Sequence, residues 1–173
     1  MTVLDAKYAQ PERERRWLAA PRPDLREAIE ARLVEDRYLA GTRLRLRRVT
    51  PLAGGGPQCK LGQKVRPDPA DPRLVMHTTM YLTAEEHERL SQLPGAELRK
   101  VRHVLAQDGR RFGVDVFQGR HAGLALVEIE LGEDDDVAPP TFAGAEVTGD
   151  ERFTGGWLAF ASADELAPVL RAR

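Results

Sequence analysis

Several short segments of this chain alternate charged with uncharged residues at a period of two, and proline or glycine separates them. The alternating segments are residues 12–18, 42–49, 58–65, 111–117 and 124–131. Successive side chains of a β-strand point to opposite faces of the sheet, so this period predicts strands. The Gly54-Gly55-Gly56 run and the Asp108-Gly109 pair predict turns of β-hairpins. The pattern therefore constrains the chain toward an antiparallel sheet.

A longer helix is predicted near the N-terminus. Asp24 can cap a helix that extends to about Asp36, because Leu25, Ile29 and Leu33 recur at a spacing of four residues.

Two capping-box patterns predict further short helices. Thr83 with Glu86 precedes a segment that Pro94-Gly95 ends, and Ser162 with Glu165 repeats the pattern near the C-terminus, where Pro168 limits the helix to a turn or two. Hairpin-linked strands with few crossover helices favour an α+β fold, an antiparallel barrel with flanking helices, over a parallel sheet.

Length and composition exclude several classes of protein. The 173 residues suffice for a single domain, expected to span residues 1–173. No apolar run approaches the roughly 18 residues that cross a bilayer, and Met1–Gln10 has no hydrophobic signal core, so we expect a soluble cytoplasmic protein without a membrane partner. The single cysteine, Cys59, cannot form an internal disulfide or a multi-cysteine zinc site.

The charge balance argues against nucleic acid as the partner. The 26 Lys plus Arg residues nearly cancel the 27 Asp plus Glu residues, so bulk positive charge cannot drive binding. The basic strands also lack the interleaved aromatic residues on which single-stranded bases would stack.

The placement of the charges within the predicted strands is more informative. Period-two alternation puts Glu12 and Glu14 on one strand face, and Glu128 and Glu130 on a face opposite Val127, Ile129 and Leu131 in the sequence. Carboxylates at i and i+2 have Cα atoms roughly 7 Å apart, close enough to share a divalent cation, and they offer the hard oxygen ligands that Mg²⁺ or Mn²⁺ prefers.

Basic side chains share strand faces in the same way. These are Arg43, Arg45 and Arg47 on one predicted strand and Lys60 and Lys64 on another. A phosphate chain with its metal is the ligand that needs both signs of charge in one cavity, because basic groups bind its oxygens while carboxylates hold the metal.

Plainer interpretations remain open. Alternating charges also occur on the solvated outer face of a sheet. His77, His87, His103 and His121 lack metal-ligand spacing and are interpreted as surface or strand residues, and Cys59 as an inert core thiol.

The motif Glu12-x-Glu14-x-Arg16 resembles the ExExK signature of the CYTH domain, the triphosphate tunnel metalloenzyme family. Other segments resemble further family motifs in the same order, over about residues 5–160. They are residues 42–47, 59–64, 98–102, 112–117, 126–131 and 146–150. The resemblance implies an eight-stranded antiparallel barrel that forms an open tunnel for a triphosphate and a divalent metal. Family members include inorganic triphosphatases, thiamine triphosphatases and a class of adenylate cyclases.

The resemblance also implies residue roles. Metal would be bound by the acidic set Glu12, Glu14, Asp115, Glu128 and Glu130. Phosphates would be held by the basic set Arg16, Arg43, Arg45, Arg47, Lys60, Lys64, Lys100, Arg102 and Arg152.

Two departures from the family pattern bear on mechanism. Arg16 stands where the signature has lysine, and a guanidinium keeps its proton, so it can clamp a phosphate or orient a carboxylate but cannot act as a base. Residues 77–82 lack the acids that many members carry there, so both one metal site and two stay open.

The sequence thus predicts a metal-dependent phosphohydrolase that cleaves the terminal phosphoanhydride of a triphosphate, with inorganic tripolyphosphate as the leading substrate. Glu14, Glu128 and Arg16 are the candidate catalytic residues, and Mg²⁺ or Mn²⁺ the expected cofactor. The alternatives are a nucleotide cyclase on the same fold and a non-catalytic binder of polyphosphate or nucleotide. Assembly as a homodimer stays open.

Overall fold

The computed structural model describes residues 7–133 and 135–171. The strands are β1 (Gln10–Ala19), β2 (Glu30–Leu39), β3 (Leu44–Pro51), β4 (Gln58–Val65), β5 (Leu74–Leu82), β6 (Gly95–Gln107), β7 (Arg110–Phe117), β8 (Ala125–Leu131) and β9 (Ala143–Glu146). The helices are α1 (Ala84–Ser91), α2 (Gly155–Phe160) and α3 (Ala163–Arg171), with 3₁₀ turns at Leu25–Glu27, Gly119–His121 and Glu151–Phe153.

Eight of the strands close into an antiparallel barrel. Neighbours follow the order β5-β4-β3-β2-β6-β7-β8-β1, and β1 pairs again with β5 to complete the ring. Glu12 lies opposite Val75 at this closing contact. The ninth strand, β9, pairs with the C-terminal end of β1, from Trp17 to Ala19. The expected α+β fold with an eight-stranded antiparallel barrel and flanking helices is therefore confirmed.

The predicted turns form where the sequence places them. Asp108 and Gly109 have φ angles of 52° and 73° and join β6 to β7 in a two-residue hairpin. Both positive φ angles suit the turn type that matches the twist of the flanking strands. The turn thereby fixes the register of β6 against β7, with Gln107 opposite Arg110.

The helix predicted from Asp24 to about Asp36 is wrong. Asp24 does cap a turn, but only the 3₁₀ turn Leu25–Glu27, and the remainder of the segment forms strand β2. The apolar stripe that suggested the helix is not buried, since Ile29 is 58% exposed. Pairing with β3 and β6 on both sides determines the conformation instead, because tertiary context overrides a weak local pattern.

Both capping-box helices are present. The Thr83 side chain accepts from the Glu86 backbone N–H at the start of α1, and Ser162 and Glu165 bond reciprocally at the start of α3. Helix α3 includes Pro168 and continues to Arg171, so the proline does not end it as predicted. Proline removes one backbone donor, which interrupts the hydrogen-bond ladder of a short helix at a single point.

Two apolar clusters support the barrel from different sides. The outer core lies on the outward face of β1, β7 and β8 and contains Trp17, Leu105, Phe112, Val114, Val127, Ile129 and Val137. The end core contains inward-facing residues of β6, β7 and β8 together with residues of the C-terminal segment: Leu98, Phe117, Leu124, Leu126, Val147, Phe153, Leu158, Ala159 and Leu166. Since Leu126 shares a strand face with Glu128, the end core fills part of the lumen, and the charged residues occupy the rest.

Helix α2 is held against the end core by specific contacts. Buried His121 contacts the carbonyl oxygen of Leu158 through Nε2 at 2.7 Å. Gly155 lies against Tyr38, and a Cβ atom at this position would be 2.0 Å from the tyrosine hydroxyl. A side chain at position 155 would therefore displace the helix from the barrel.

None of the helices in the described part of the chain is long and apolar enough to cross a membrane.

The end core predicts a stability effect. Leu158 is 0% exposed, so Leu158→Ala removes buried apolar contacts and should lower the free energy of unfolding by about 2–5 kcal/mol. Leu93→Ala, at a 44% exposed leucine, is the control and should change it by less than about 0.5 kcal/mol. Urea denaturation of the two variants measures the difference, and equal effects would contradict the burial assigned to α2.

Candidate functional site

The barrel encloses a cavity of about 1300 Å³ whose described lining is strongly cationic. Twelve Arg and Lys side chains line it against five Glu side chains. The basic set is Arg16, Arg32, Arg43, Arg45, Arg47, Lys60, Lys64, Arg66, Lys100, Arg102, Arg110 and Arg111, and the acidic set is Glu12, Glu14, Glu128, Glu130 and Glu151. The whole chain carries a net charge of only −1, so positive charge is concentrated inside the barrel. A field of this sign attracts a polyanion.

The two signs of charge occupy different walls. Four of the five glutamates project from the neighbouring strands β1 and β8, which we call the acidic wall (Glu12, Glu14, Glu128 and Glu130). Strands β3, β4 and β6 supply the basic wall (Arg45, Arg47, Lys60, Lys64, Lys100 and Arg102). In the ring of eight strands β8 lies opposite β3, and β1 lies opposite β2, the strand between β3 and β6, so the basic wall faces the acidic wall across the lumen.

Like charges lie next to one another within the acidic wall. Glu14 on β1 is directly opposite Glu130 on β8, and Arg16 is opposite Glu128. Facing carboxylates on adjacent strands repel, so this arrangement needs a cation nearby. Glu14 has two cationic neighbours, whereas Glu130 is exposed and forms no ion pair within the described residues.

Arg16 supplies one of these cations and is held on three sides. Its guanidinium donates to Glu128 Oε1 at 2.7 Å, to Glu14 Oε1 at 3.0 Å and to the carbonyl oxygen of Phe153 at 3.1 Å. The residue is 8% exposed. Arg16 therefore links β1 to β8 and orients two acidic-wall carboxylates.

Lys64 reaches across from β4 and supplies the other cation. Its Nζ atom lies 2.9 Å from Glu12 Oε2 and 3.1 Å from Glu14 Oε2. A cation thus already sits between two carboxylates of the acidic wall, in the place where a divalent ion bound by both would be expected.

Glu12 also pairs with His77, for which the sequence predicts no ligand or catalytic role. His77 Nδ1 lies 2.6 Å from Glu12 Oε1, and the Thr79 hydroxyl is 3.0 Å from His77 Nε2. Burial opposes ionisation of Glu12, but the hydrogen bond with His77 and the charge of Lys64 outweigh it and lower the pKa to about 2. The side chain of His77 has room because position 62 is glycine, where a Cβ atom would lie 3.2 Å from Nε2.

The remaining cations of this half of the lumen converge on a buried carboxylate. Asp115 is 0% exposed and accepts from Lys100 and from Arg102, the latter at 2.7 and 2.6 Å. Arg102 also pairs with Glu128. Burial favours the neutral acid, but the charges of Arg102 and Lys100 outweigh it and lower the pKa of Asp115.

These contacts form one continuous series, which we call the lumen ion-pair chain, in which carboxylates alternate with cations and His77 is hydrogen-bonded at one end. It runs through His77, Glu12, Lys64, Glu14, Arg16, Glu128, Arg102, Asp115 and Lys100. Burial opposes the charge of Glu128, yet the neighbouring Arg102 and Arg16 hold its pKa well below the ordinary range. From Lys64 to Asp115, every member has two partners of opposite charge, which compensates for the loss of hydration.

A second buried carboxylate lies behind the basic wall. Asp36 on β2 accepts from Arg47 Nε at 2.6 Å and Nη2 at 2.8 Å, and Arg45 Nε is 3.7 Å away. Burial raises its pKa, but Arg47 and Arg45 overcompensate and lower it to about 2. Sequence reasoning missed Asp36 because it assigned this segment to a helix.

Twelve of the residues predicted from the sequence line the cavity. They are Glu12, Glu14, Arg16, Arg43, Arg45, Arg47, Lys60, Lys64, Lys100, Arg102, Glu128 and Glu130. Lys60 has no carboxylate partner within the described residues and lies with Nζ 5.0 Å from the ring centre of Tyr81.

Two predicted residues, Asp115 and Arg152, are not among the residues that line the cavity, and their roles as ligands stay predictions. Asp115 was assigned to metal binding, but it lies behind Lys100 and Arg102, which use its oxygens. Arg152 was assigned to phosphate binding, but it is exposed on a 3₁₀ turn and pairs with Asp150 at 2.7 Å. Alternation along a strand identifies the face on which Asp115 lies, but not how deeply other side chains bury it. Arg152 lies outside any strand, so alternation does not apply to it.

The donor chemistry of the acidic wall fits a divalent cation, although the side chains are not arranged around one. Among the described residues, no three His, Cys, Asp or Glu side chains are grouped so that they could hold a metal ion together. Hard oxygen donors are present on adjacent strands, and the ammonium group of Lys64 shows that a cation is accommodated between Glu12 and Glu14. Metal binding there would require Lys64 to leave.

Comparison with known proteins gives similarity at the level of structure. No family model and no curated protein matches the chain. The crystal structure of the inorganic triphosphatase NE1496 is similar, with 26% identity and a TM-score of 0.58 over 87% of this chain and 95% of that one. Another crystal structure of NE1496, described as a hypothetical protein, gives 25% identity and the same TM-score over 87% of this chain and 99% of that one.

A third solved structure shares the fold. The PH1819 protein of Pyrococcus horikoshii OT3 has 15% identity and a TM-score of 0.52, over 93% of this chain and 89% of that one. The similarity to NE1496 is consistent with a CYTH-type barrel.

The low pKa values predict loss of stability in acid. Asp36 ionises with a pKa of about 2 when folded, against 3.8 without its partners, and Glu12, Asp115 and Glu128 also have lowered pKa values. Because each folded pKa lies below the unfolded one, the stabilisation is present above about pH 4 and is lost as pH falls toward 2. Asp36 alone accounts for about 2 kcal/mol. Urea denaturation at pH 5 and pH 3 should give a lower free energy of unfolding at pH 3, and equal values would contradict the buried ion pairs.

Proposed function

We propose that this chain is a hydrolase that cleaves the terminal phosphoanhydride of a triphosphate, with inorganic tripolyphosphate as the leading substrate and Mg²⁺ or Mn²⁺ as cofactor. The observation that carries the proposal is the cationic cavity in which a basic wall faces an acidic wall. The structural similarity to NE1496, a protein described as an inorganic triphosphatase, supports the same class of reaction.

Substrate binding would use the basic wall. Arg45, Arg47 and Lys60 project toward the acidic wall, and their N–H groups match the oxygens of successive phosphates. Lys60 requires no exchange of carboxylate partners, because it has none within the described residues, and it is therefore available to the first phosphate that enters.

The acidic wall would hold the divalent cation. Glu12 and Glu130 are its candidate ligands, because Glu130 lacks an ion pair within the described residues and Glu12 already binds the cation of Lys64. When bound, the metal would neutralise charge that develops on the phosphoryl oxygens. Lys64, once released, would add a further positive charge to the basic wall.

The chemical step requires an in-line attack by water. The water oxygen bonds to the terminal phosphorus while the bond from that phosphorus to the bridging oxygen breaks, giving orthophosphate and pyrophosphate. The proton of the water must pass to a base, and Glu14 is the candidate because its carboxylate lies at the cavity surface between Arg16 and Lys64. Arg16 cannot accept a proton, so its role is to orient Glu14 and Glu128.

Glu128 is better suited to charge stabilisation than to proton transfer. Its pKa lies well below the ordinary range because Arg102 and Arg16 outweigh the effect of burial, and so weak a base gives little driving force for accepting a proton at neutral pH. Glu128 would keep the two guanidinium groups in place while substrate binds.

Activity against a panel of triphosphates tests the proposal. Orthophosphate release from tripolyphosphate, thiamine triphosphate, ATP and GTP is measured with Mg²⁺ or Mn²⁺ and without metal. We expect release from tripolyphosphate that depends on the metal, and a decrease in kcat/KM of about 10²-fold or more for Glu128→Gln, because the arginines lose their shared anion.

The control is Glu88→Gln, at an exposed glutamate of α1 that is not among the residues lining the cavity. Unchanged kcat/KM is expected there, and undiminished turnover in Glu128→Gln would contradict the role of Glu128. Cyclic nucleotide and pyrophosphate from ATP would identify a cyclase instead. Binding of tripolyphosphate without phosphate release under either metal would identify a non-catalytic receptor.

A further inference from the structure

Asp36 is a buried carboxylate that touches the basic wall from behind. Its side chain is 1% exposed, and it does not line the cavity, whereas both of its cationic partners, Arg45 and Arg47, do. A carboxylate in this position cannot contact a ligand in the lumen. Any effect on binding must therefore pass through the two arginines.

The contact with Arg47 fixes the orientation of its guanidinium. Nε and Nη2 donate to the two oxygens of Asp36 at 2.6 and 2.8 Å, so the pair is bidentate. Arginine has five N–H donors in a planar group, and the contact uses two of them. The remaining three are held in a fixed plane at the cavity surface, where they can reach phosphate oxygens.

The charges are balanced only in part. One carboxylate serves two guanidinium groups, since Arg45 Nε lies 3.7 Å from the same Oδ1 atom that Arg47 contacts. Arg45 Nε forms no hydrogen bond within the described residues, although it is buried. The cluster of Asp36, Arg45 and Arg47 keeps one positive charge, which a polyanion in the lumen would neutralise.

We propose that Asp36 is a positioning residue for the triphosphate, which holds Arg47 by the bidentate contact and Arg45 by its charge so that both present donors to the phosphates. The inference rests on the proposed function, because it takes a triphosphate as the ligand of the lumen.

A simple counter-charge role would have the opposite effect on binding. If Asp36 only reduced the positive potential of the wall, its neutralisation would strengthen the attraction for a polyanion. If it positions the arginines, neutralisation frees their side chains to rotate. Binding then weakens, because the two side chains lose conformational entropy when the ligand binds. The sign of the change therefore distinguishes the two roles.

Calorimetric titration with tripolyphosphate in the absence of divalent metal provides a measurement independent of catalysis. We expect Asp36→Asn to raise Kd about tenfold, or roughly 1.4 kcal/mol. In steady-state assays KM should rise by a similar factor while kcat changes less than about threefold, because the affected contacts are made in both the ground state and the transition state. Asp36→Glu keeps the charge but moves the carboxylate by one methylene, and it should also weaken binding.

The matched control is Glu35→Gln. Glu35 is the preceding residue on β2 and lies on the opposite strand face, where it pairs with Arg99 at 3.8 Å. Removing its charge should leave Kd and KM unchanged. Circular dichroism and thermal melting of each variant establish that the barrel is folded.

A double-mutant cycle separates positioning from a general structural effect. If Asp36 acts through Arg47, Asp36→Asn should add little further loss of affinity in an Arg47→Ala background. An equal loss in both backgrounds, or unchanged or tighter binding in the single variant, would overturn the inference while leaving the proposed function intact. Absence of tripolyphosphate binding by the wild-type protein, with or without metal, would overturn both.

If Asp36→Asn does not fold, the wild-type protein supplies a second measurement. The Arg47 Nε–H signal in nuclear magnetic resonance spectra should exchange slowly with solvent because Asp36 accepts it, and it should shift on addition of tripolyphosphate. Rapid exchange or an unchanged signal at saturating ligand would overturn the inference.

Discussion

The lumen ion-pair chain is the interaction on which the rest of the structure depends. Closing eight strands into a barrel brings inward-facing side chains from all of them together, and here 17 of the 35 described residues that line the cavity are charged. Removing charges from water costs several kcal/mol for each ion unless partners compensate. In the lumen ion-pair chain, carboxylates alternate with cations, and these contacts compensate for the lost hydration. Arg16 lies at its midpoint, since it bridges Glu14 on β1 and Glu128 on β8.

The same pairing leaves the cavity prepared for an anion. Asp36 and Asp115 lie behind the basic wall and each serve two cations, so the carboxylates do not cancel the positive charge at the surface of the lumen. A polyanion that enters competes with the acidic wall for Lys64 and meets Lys60 without a carboxylate partner. Binding of a phosphate chain and binding of a divalent cation would therefore support each other, because each occupies partners that the other leaves unpaired.

Alternation of charge predicted the parts of the fold and the site where one strand face has a clear chemical character. On β3 the inward face carries Arg45 and Arg47 and the outward face carries Leu44 and Leu46. On β8 the inward face carries Glu128 and the outward face is apolar. On β2 both faces mix charged and apolar residues, so the four-residue spacing of Leu25, Ile29 and Leu33 suggested a helix. With that segment misassigned, Asp36 could not be recognised as part of the site.

The burial of individual side chains and their hydrogen-bond partners could not be predicted from the sequence either. Alternation placed Asp115 on the correct strand, but only the packing of Lys100 and Arg102 against it shows that two basic side chains donate to its oxygens. His77 gave no signal through spacing to other ligands, since its partners Glu12 and Thr79 come from the register of β1 with β5 and from its own strand face.

A crystal structure of the protein with tripolyphosphate and Mn²⁺ would show directly whether a phosphate chain binds between the two walls of the lumen. We predict phosphates in contact with Arg45, Arg47 and Lys60, Mn²⁺ at the acidic wall, and Lys64 displaced from Glu12 and Glu14. Phosphate bound outside the barrel, with the lumen ion-pair chain unchanged at saturating ligand, would contradict this prediction.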